Sequence, residues 1–266
     1  MDLKAYLRSA QAYVEAQGYR CAYIALYGSQ NYGLALNTPD YQSDIDVKCA
    51  VMPTLSQLVR EEFAQPATLD WRGGQIEIKD ARRFVGVCLK MNPAYLETLI
   101  TPHYLAPCAA FEQLRACVPS LLQQHSAEFL GACKGLAMTK KKNFCHPFPA
   151  AMEKIRRWGY DGKQAHHMYR LLLIMRQFEK EGIYVLAAPE TEKGFLLALK
   201  RYEIPLSHAL QLADGWADEA EAICRRRESK AERQDTVGAQ MREMVNMAVE
   251  THIRRQIVSE ENIKGI

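Results

Sequence analysis

Asp44 and Asp46 stand two positions apart in Ser43-Asp44-Ile45-Asp46-Val47, a short way after Gly28-Ser29. On an extended segment, residues i and i+2 share a face, so the two carboxylates would lie side by side while Ile45 and Val47 turn inward. Adjacent negative charges repel, and a divalent cation relieves the repulsion. Mg²⁺ in particular takes one or two carboxylates, several waters and the phosphate oxygens of a substrate. Gly28 would let the backbone approach a phosphate closely, and Ser29 would offer it a hydroxyl and a backbone N–H. The combination points to phosphate chemistry on a metal. The bland alternative is a solvated strand face after an ordinary turn, because D-x-D alone is a weak signal. The strand and the Gly-Ser turn ahead of the pair favour function.

Two strands must hold these residues. "CAYIALYG" (21–28) is a short apolar run ending in Gly, "SDIDVKCAV" (43–51) alternates before turning apolar, and the residues between them read as loop. "RGG" at 72–74 marks a tight turn before "QIEIKD". Beyond Pro107 helical spacing dominates, in "FEQLRACVPSLLQQH", "HHMYRLLLIMRQFEKEG" and "MREMVNMAVETHIRRQI", with Gly182 as a helix stop. The pattern predicts an α+β protein: a small mixed-sheet catalytic domain over 1–108, then an all-helical domain over 109–266, with the site expected in the cleft between them. In the helical part, Lys163, His166, His167 and Arg170 recur at three- to four-residue spacing and form a cationic stripe suited to a triphosphate. A lone histidine in such a place is more often structural than catalytic.

The 266 residues can bury a substantial core, and no apolar run reaches the roughly 18 residues of a membrane span. The start, "MDLKAYLRSAQAYVEAQG", reads as a charged amphipathic helix rather than a signal peptide, so a cytoplasmic protein is expected. Eight cysteines stand far apart with no C-x-x-C pair, which argues for reduced thiols over a zinc site or a disulfide framework. The net charge of +3 does not by itself announce nucleic acid. Its distribution says more: Lys140-Lys141-Lys142, Arg156-Arg157, Lys163 and Arg170 fall in a stretch poor in acids and containing aromatics, as a surface meeting phosphates would. "RRRESKAER" (225–233) interleaves acids and reads as a solvated helix face.

Gly28-Ser29 followed by Asp44-Ile45-Asp46 resembles the signature of the DNA polymerase beta-like nucleotidyltransferase superfamily. The loop "GSQNYGLALNTPDYQSDIDVK" is similar to that of an uncharacterised prokaryotic and phage branch. "ARRFVGVCLKMNPAYLETL" (81–99) and "GKQAHHMYRLLLI" (162–174) match further segments of that branch. The fourteen-residue gap from Gln30 to Ser43 is longer than in many members. The resemblance implies that Gly28 and Ser29 bind the NTP phosphates, and that Asp44 and Asp46 hold two Mg²⁺ or Mn²⁺ ions. Lys163, His167 and Arg170 are then candidates for further nucleotide contacts.

Two-metal phosphoryl transfer calls for a third carboxylate, which in the superfamily lies on a later strand of the same sheet. Glu77 alternates with Ile76 and Ile78 and is the choice. Asp80, just outside the alternation, is the alternative, and Asp70 sits before the turn. A plain cross-strand pairing of Glu77 with Lys79 or Lys48 is the competing account. The implied activity is transfer of an NMP from an NTP to a hydroxyl with release of pyrophosphate. An RNA 3′ end is the first acceptor expected, a protein hydroxyl the second and a small molecule the third. A non-catalytic nucleotide- or RNA-binding module is the alternative of another class, and the presence of both aspartates argues against it.

Overall fold

The computed structural model describes residues 2–35, 37–38, 41–149, 151–227 and 235–264, with only the backbone at 37, 38, 41, 42 and 259–264. Asp2 opens helix α1 (Leu3–Ala16) by accepting the Lys4 and Ala5 N–H groups, and Tyr6, Leu7, Ala10 and Val14 make its buried stripe. Strand β1 (Arg20–Tyr27) is buried along nearly its whole length. A single turn, α2 (Ser29–Tyr32), and the short paired strands β2 (Asn37–Thr38) and β3 (Tyr41–Gln42) lead to β4 (Asp46–Met52). Then follow α3 (Leu55–Val59), β5 (Ala67–Trp71), β6 (Gly74–Asp80), α4 (Ala81–Cys88), α5 (Pro93–Ile100), β7 (Tyr104–Leu105) and α6 (Ala110–Gln124). Helices α7 (Ser126–Asn143), α8 (Met152–Trp158), α9 (Gly162–Glu181), α10 (Glu190–Lys200), α11 (Leu206–Arg226) and α12 (Thr236–Lys264) complete the chain.

The main sheet has the order β5-β6-β4-β1-β7, with β4 and β6 parallel and the other neighbours antiparallel. The fold is α+β. Alternation sorts the sheet's two faces. Ile24, Leu26, Val47, Cys49, Val51, Ile76 and Ile78 form a core with the stripe of α1. The opposite face carries Tyr23, whose ring stacks on Phe111 at 4.9 Å and meets Phe84 edge-on at 6.1 Å. Register puts Asp46, Lys48, Glu77 and Lys79 on that second face.

The chain divides into two compact units. The first comprises Met1–Asn31, Ala35–Gln124 and Gln234–Ile266, the second Tyr32–Leu34 and His125–Arg233. Residue 108 falls inside the first unit, because α6 and α12 pack on each other and α12 also packs on α4. In the second unit α9 is the central helix, with α7, α10 and α11 against it. From Met168 to Met175 it is buried on every side, Arg170 included, while Lys163, Lys180 and Glu181 near its ends are exposed. Asp161 caps its start, and Gly182 at φ 70° ends it at the position where a stop is expected. Most of the charged run 225–233 lies outside the described residues.

Candidate active site

The β1–β4 register pairs Tyr27 with Asp46, so the chain leaving β1 at Gly28 begins beside the Asp44–Asp46 segment. Asp46 opens β4 and Asp44 precedes it, exposed to solvent, while Ile45 and Val47 are buried. The alternation expected for a strand therefore holds through the pair, one residue before regular pairing begins. Two hydrogen bonds hold the segment, one at its backbone and one at the Asp46 carboxylate. The Tyr6 hydroxyl donates to the Ile45 carbonyl at 3.3 Å, and the Gln75 N–H donates to Asp46 Oδ1 at 3.2 Å. Gly74 makes the second one possible: a Cβ there would lie 2.2 Å from the Ile45 carbonyl oxygen, so only glycine lets the β5–β6 turn close on the backbone between the two aspartates.

Gly28 has φ 95°, a conformation that favours glycine, and its N–H donates to Glu97 Oε1 at 2.7 Å. The same oxygen accepts from Asn31 Nδ2 at 2.9 Å. Asn31 also donates to the Leu26 carbonyl at 3.0 Å and accepts from the Thr101 hydroxyl at 2.7 Å. Glu97 and Thr101 are fully buried, so one carboxylate on α5 ties both ends of the Gly-Ser turn from inside the protein. The Gly28 N–H is thus engaged inward and is not directed at a ligand of the turn. Sequence reading missed Glu97, because the acid in "NPAYLETL" carries no local mark of a buried acceptor.

Glu77 sits opposite Lys48 on the neighbouring parallel strand, two positions along the same face from Asp46. Its carboxylate pairs with the Lys48 ammonium and accepts from the Tyr95 hydroxyl, and Lys79 Nζ lies 3.7 Å away. Burial alone would raise its pKa, but the hydrogen bonds from Lys48 and Tyr95, with the charges of Lys48 and Lys79, outweigh it and hold the group below 4.5. Glu77 is therefore an ionised carboxylate in the cross-strand ion pair with Lys48 that was expected from sequence as the competing account to a catalytic role. Asp80 has a different place. Fully buried, it caps α4 through the Arg82 N–H at 2.9 Å, accepts the Ala64 N–H at 2.9 Å and pairs with Arg82 Nη2 at 2.8 Å. Asp70, across from Gln75 on β5, accepts from Gln75 Nε2 at 3.5 Å.

The cationic stripe lies in the second unit. Lys163 is exposed, and the Arg170 guanidinium is buried over the Tyr32 ring at 3.6 Å. His166 is buried with Nδ1 2.9 Å from the Leu196 carbonyl, and burial draws its pKa down to about 4. Burial also holds His167 well below 6.5, with the charges of Arg170, Lys140 and Lys163 acting in the same direction. Lys140 on α7 is itself lowered, first by burial and then by Lys163 and Arg170. These groups crowd one another electrostatically, and both imidazoles are neutral at pH 7.

Among the described residues no three His, Cys, Asp or Glu side chains gather as a metal-ligand set. The adjacent carboxylates of Asp44 and Asp46 still suit a hard divalent ion that completes its shell with water and phosphate oxygens. No helix among the described residues is long and apolar enough to cross a membrane. A family model described as RlaP, RNA repair pathway DNA polymerase beta family, matches residues 4–189, a span that takes in α1 through α9 and stops before α10. No curated protein matches the chain.

Proposed function

This chain belongs to the RNA repair pathway DNA polymerase beta family and is a polymerase beta-like nucleotidyltransferase, and we propose that it moves an NMP from an NTP to the 3′ hydroxyl of an RNA, releasing pyrophosphate. The observation that carries the reading is the Tyr27–Asp46 pairing, which sets two aspartates beside the Gly28-Ser29 turn at one end of the sheet. Ser29 would hold the triphosphate through its hydroxyl and N–H. Asp44 and Asp46 would hold Mg²⁺ or Mn²⁺, two ions by family resemblance, which when bound supply charge neutralisation at the triphosphate and acidify the attacking hydroxyl. Glu77, kept ionised and on the same face as Asp46, would orient that hydroxyl for in-line attack on the α-phosphorus. Lys163, His167 and Arg170 would steady further phosphates.

The second unit supports RNA as acceptor. Lys142, Arg156 and Arg157 are exposed, and Trp158, 40% exposed, carries the Arg157 guanidinium over its ring at 4.8 Å. Cations interleaved with an accessible aromatic suit a single strand, whose bases stack and whose phosphates attract. A cytoplasmic setting fits such a substrate. The test is incubation of the protein with each α-labelled NTP, Mg²⁺ or Mn²⁺, and total cellular RNA or protein. Label at RNA 3′ ends supports the proposal, whereas label confined to protein or to small molecules transfers the function to that acceptor. Absence of label in every fraction, beside measurable nucleotide binding, would indicate a binding module.

A further inference from the structure

At the other end of β1 from Gly28, the first unit carries a cavity of about 410 Å³ floored by the Arg20–Met52 strand ends and walled by α6 and α12. Seven steps of about 3.3 Å along β1 place the Arg20 end about 23 Å along the sheet from the Tyr27–Asp46 end. Its α12 wall also lies beyond residue 189, where the family match stops. The cavity is distinct from the catalytic site, and its strand floor and α6 wall fall within the matched span.

Its lining has a definite chemistry. Arg20, Arg255 and His252 converge on it, and among the described residues no aspartate or glutamate lines it. Among the described residues neither arginine has an ion-pair partner. Met52, Met244 and Met247 supply a soft apolar wall that moulds to a flat or irregular body. The His252 Nε2 atom is buried with no hydrogen-bond partner, while Gln113 and Thr251 add polar groups nearby. Pairing that nitrogen favours an occupant that brings a hydrogen-bonding edge as well as an anion.

We propose that this cavity is a second nucleotide site, taking a phosphate at Arg20 and Arg255 and a heterocyclic base against the methionines with its edge toward His252. An alkyl chain with an anionic head would satisfy the arginines and methionines but leave His252 unpaired. Inorganic phosphate would leave the apolar wall wet. The volume suits one nucleotide unit, whether a free nucleotide or the terminal residue of a strand.

Cys108 lines the cavity and gives a site-resolved reporter, with exposed Cys145 in the second unit as an internal control. The experiment measures alkylation rates of both thiols by mass spectrometry in the full chain, without metal, as AMP or a 5′-phosphorylated RNA oligonucleotide is titrated. AMP, the oligonucleotide or both should slow modification of Cys108 at least fivefold at saturation and leave Cys145 unchanged. Whichever ligand protects at lower concentration identifies the source. Arg20→Ala/Arg255→Ala, both on exposed side chains, should raise the protecting concentration at least tenfold. Adenosine or phosphate alone should protect more than tenfold less well than AMP. The proposal fails if neither ligand protects Cys108, if protection survives the double substitution, or if dodecyl phosphate protects as well as AMP. Because the readout is thiol protection, it is separable from loss of NMP transfer.

Discussion

Glu97 offers the sharpest test of how the phosphate turn is built. Its carboxylate accepts from the Gly28 N–H at 2.7 Å and from Asn31 Nδ2 at 2.9 Å in a fully buried setting. In Glu97→Ala both donors lose their acceptor, and each buried donor left without one costs about 1–3 kcal/mol. Asn31 retains the Leu26 carbonyl, so the larger share falls on Gly28. The expected loss is therefore about 2–4 kcal/mol, including the small cavity left by the missing side chain. For a chain of this size that corresponds to a fall in Tm of roughly 4–16 °C by calorimetry. Glu97→Gln keeps an acceptor oxygen of the same shape and removes the charge, so it should recover about half of the lost stability. The functional signature is separate. A turn that wanders costs NTP affinity, so at a temperature where both variants are folded KM for NTP should rise while the affinity for acceptor RNA stays within twofold of the parent. If Glu97→Ala melts with the parent and keeps its KM, the carboxylate does not hold the turn.

Three further outcomes follow from the same geometry. Asp46→Asn should reduce transfer by about 10³-fold or more, the scale of several kcal/mol of lost charge stabilisation. Thermal stability should be unchanged or raised, because Asn can still accept the Gln75 N–H while one of two repelling charges is gone; an active, purified variant would refute the metal assignment. Glu77, with its folded pKa held below its unfolded value, contributes stability that is present above about pH 4.5 and is lost as pH falls through the lower folded value. Lys48→Met removes the strongest cation opposing burial, so the acid limb of both stability and activity should move to higher pH, and an unmoved limb in a pH–rate series would exclude Glu77 from the reaction. Replacing Lys142, Arg156 and Arg157 by alanine should flatten the plot of log affinity for single-stranded RNA against log salt by about 0.7 for each phosphate no longer neutralised, and an unaltered slope would remove that surface from RNA binding.

What the sequence reveals and what it hides divide along the range of the interactions involved. β1 is legible as a short apolar run closed by Gly28, β4 because Ile45, Val47 and Cys49 alternate with Asp44, Asp46 and Lys48, and α9 because Met168, Leu172 and Met175 keep helical spacing up to Gly182. Each signal lies within a few residues. The Gly28–Glu97 hydrogen bond spans 69 positions, and nothing local to "NPAYLETL" distinguishes a buried acceptor from an exposed acid on a short helix. Gly74 poses the same difficulty in another form. The Gly-Gly pair declares a turn, yet its tight approach to the Ile45 carbonyl depends on a parallel pairing of β4 with β6 that no local pattern encodes. The placement of α12 with the sheet follows this logic too. Its apolar positions Met241, Val245, Val249 and Ile253 announce a buried stripe without naming the surface that covers it, and here that surface is formed with α4 and α6. A helix stripe identifies the face that must be buried, while its partner is chosen by the rest of the chain.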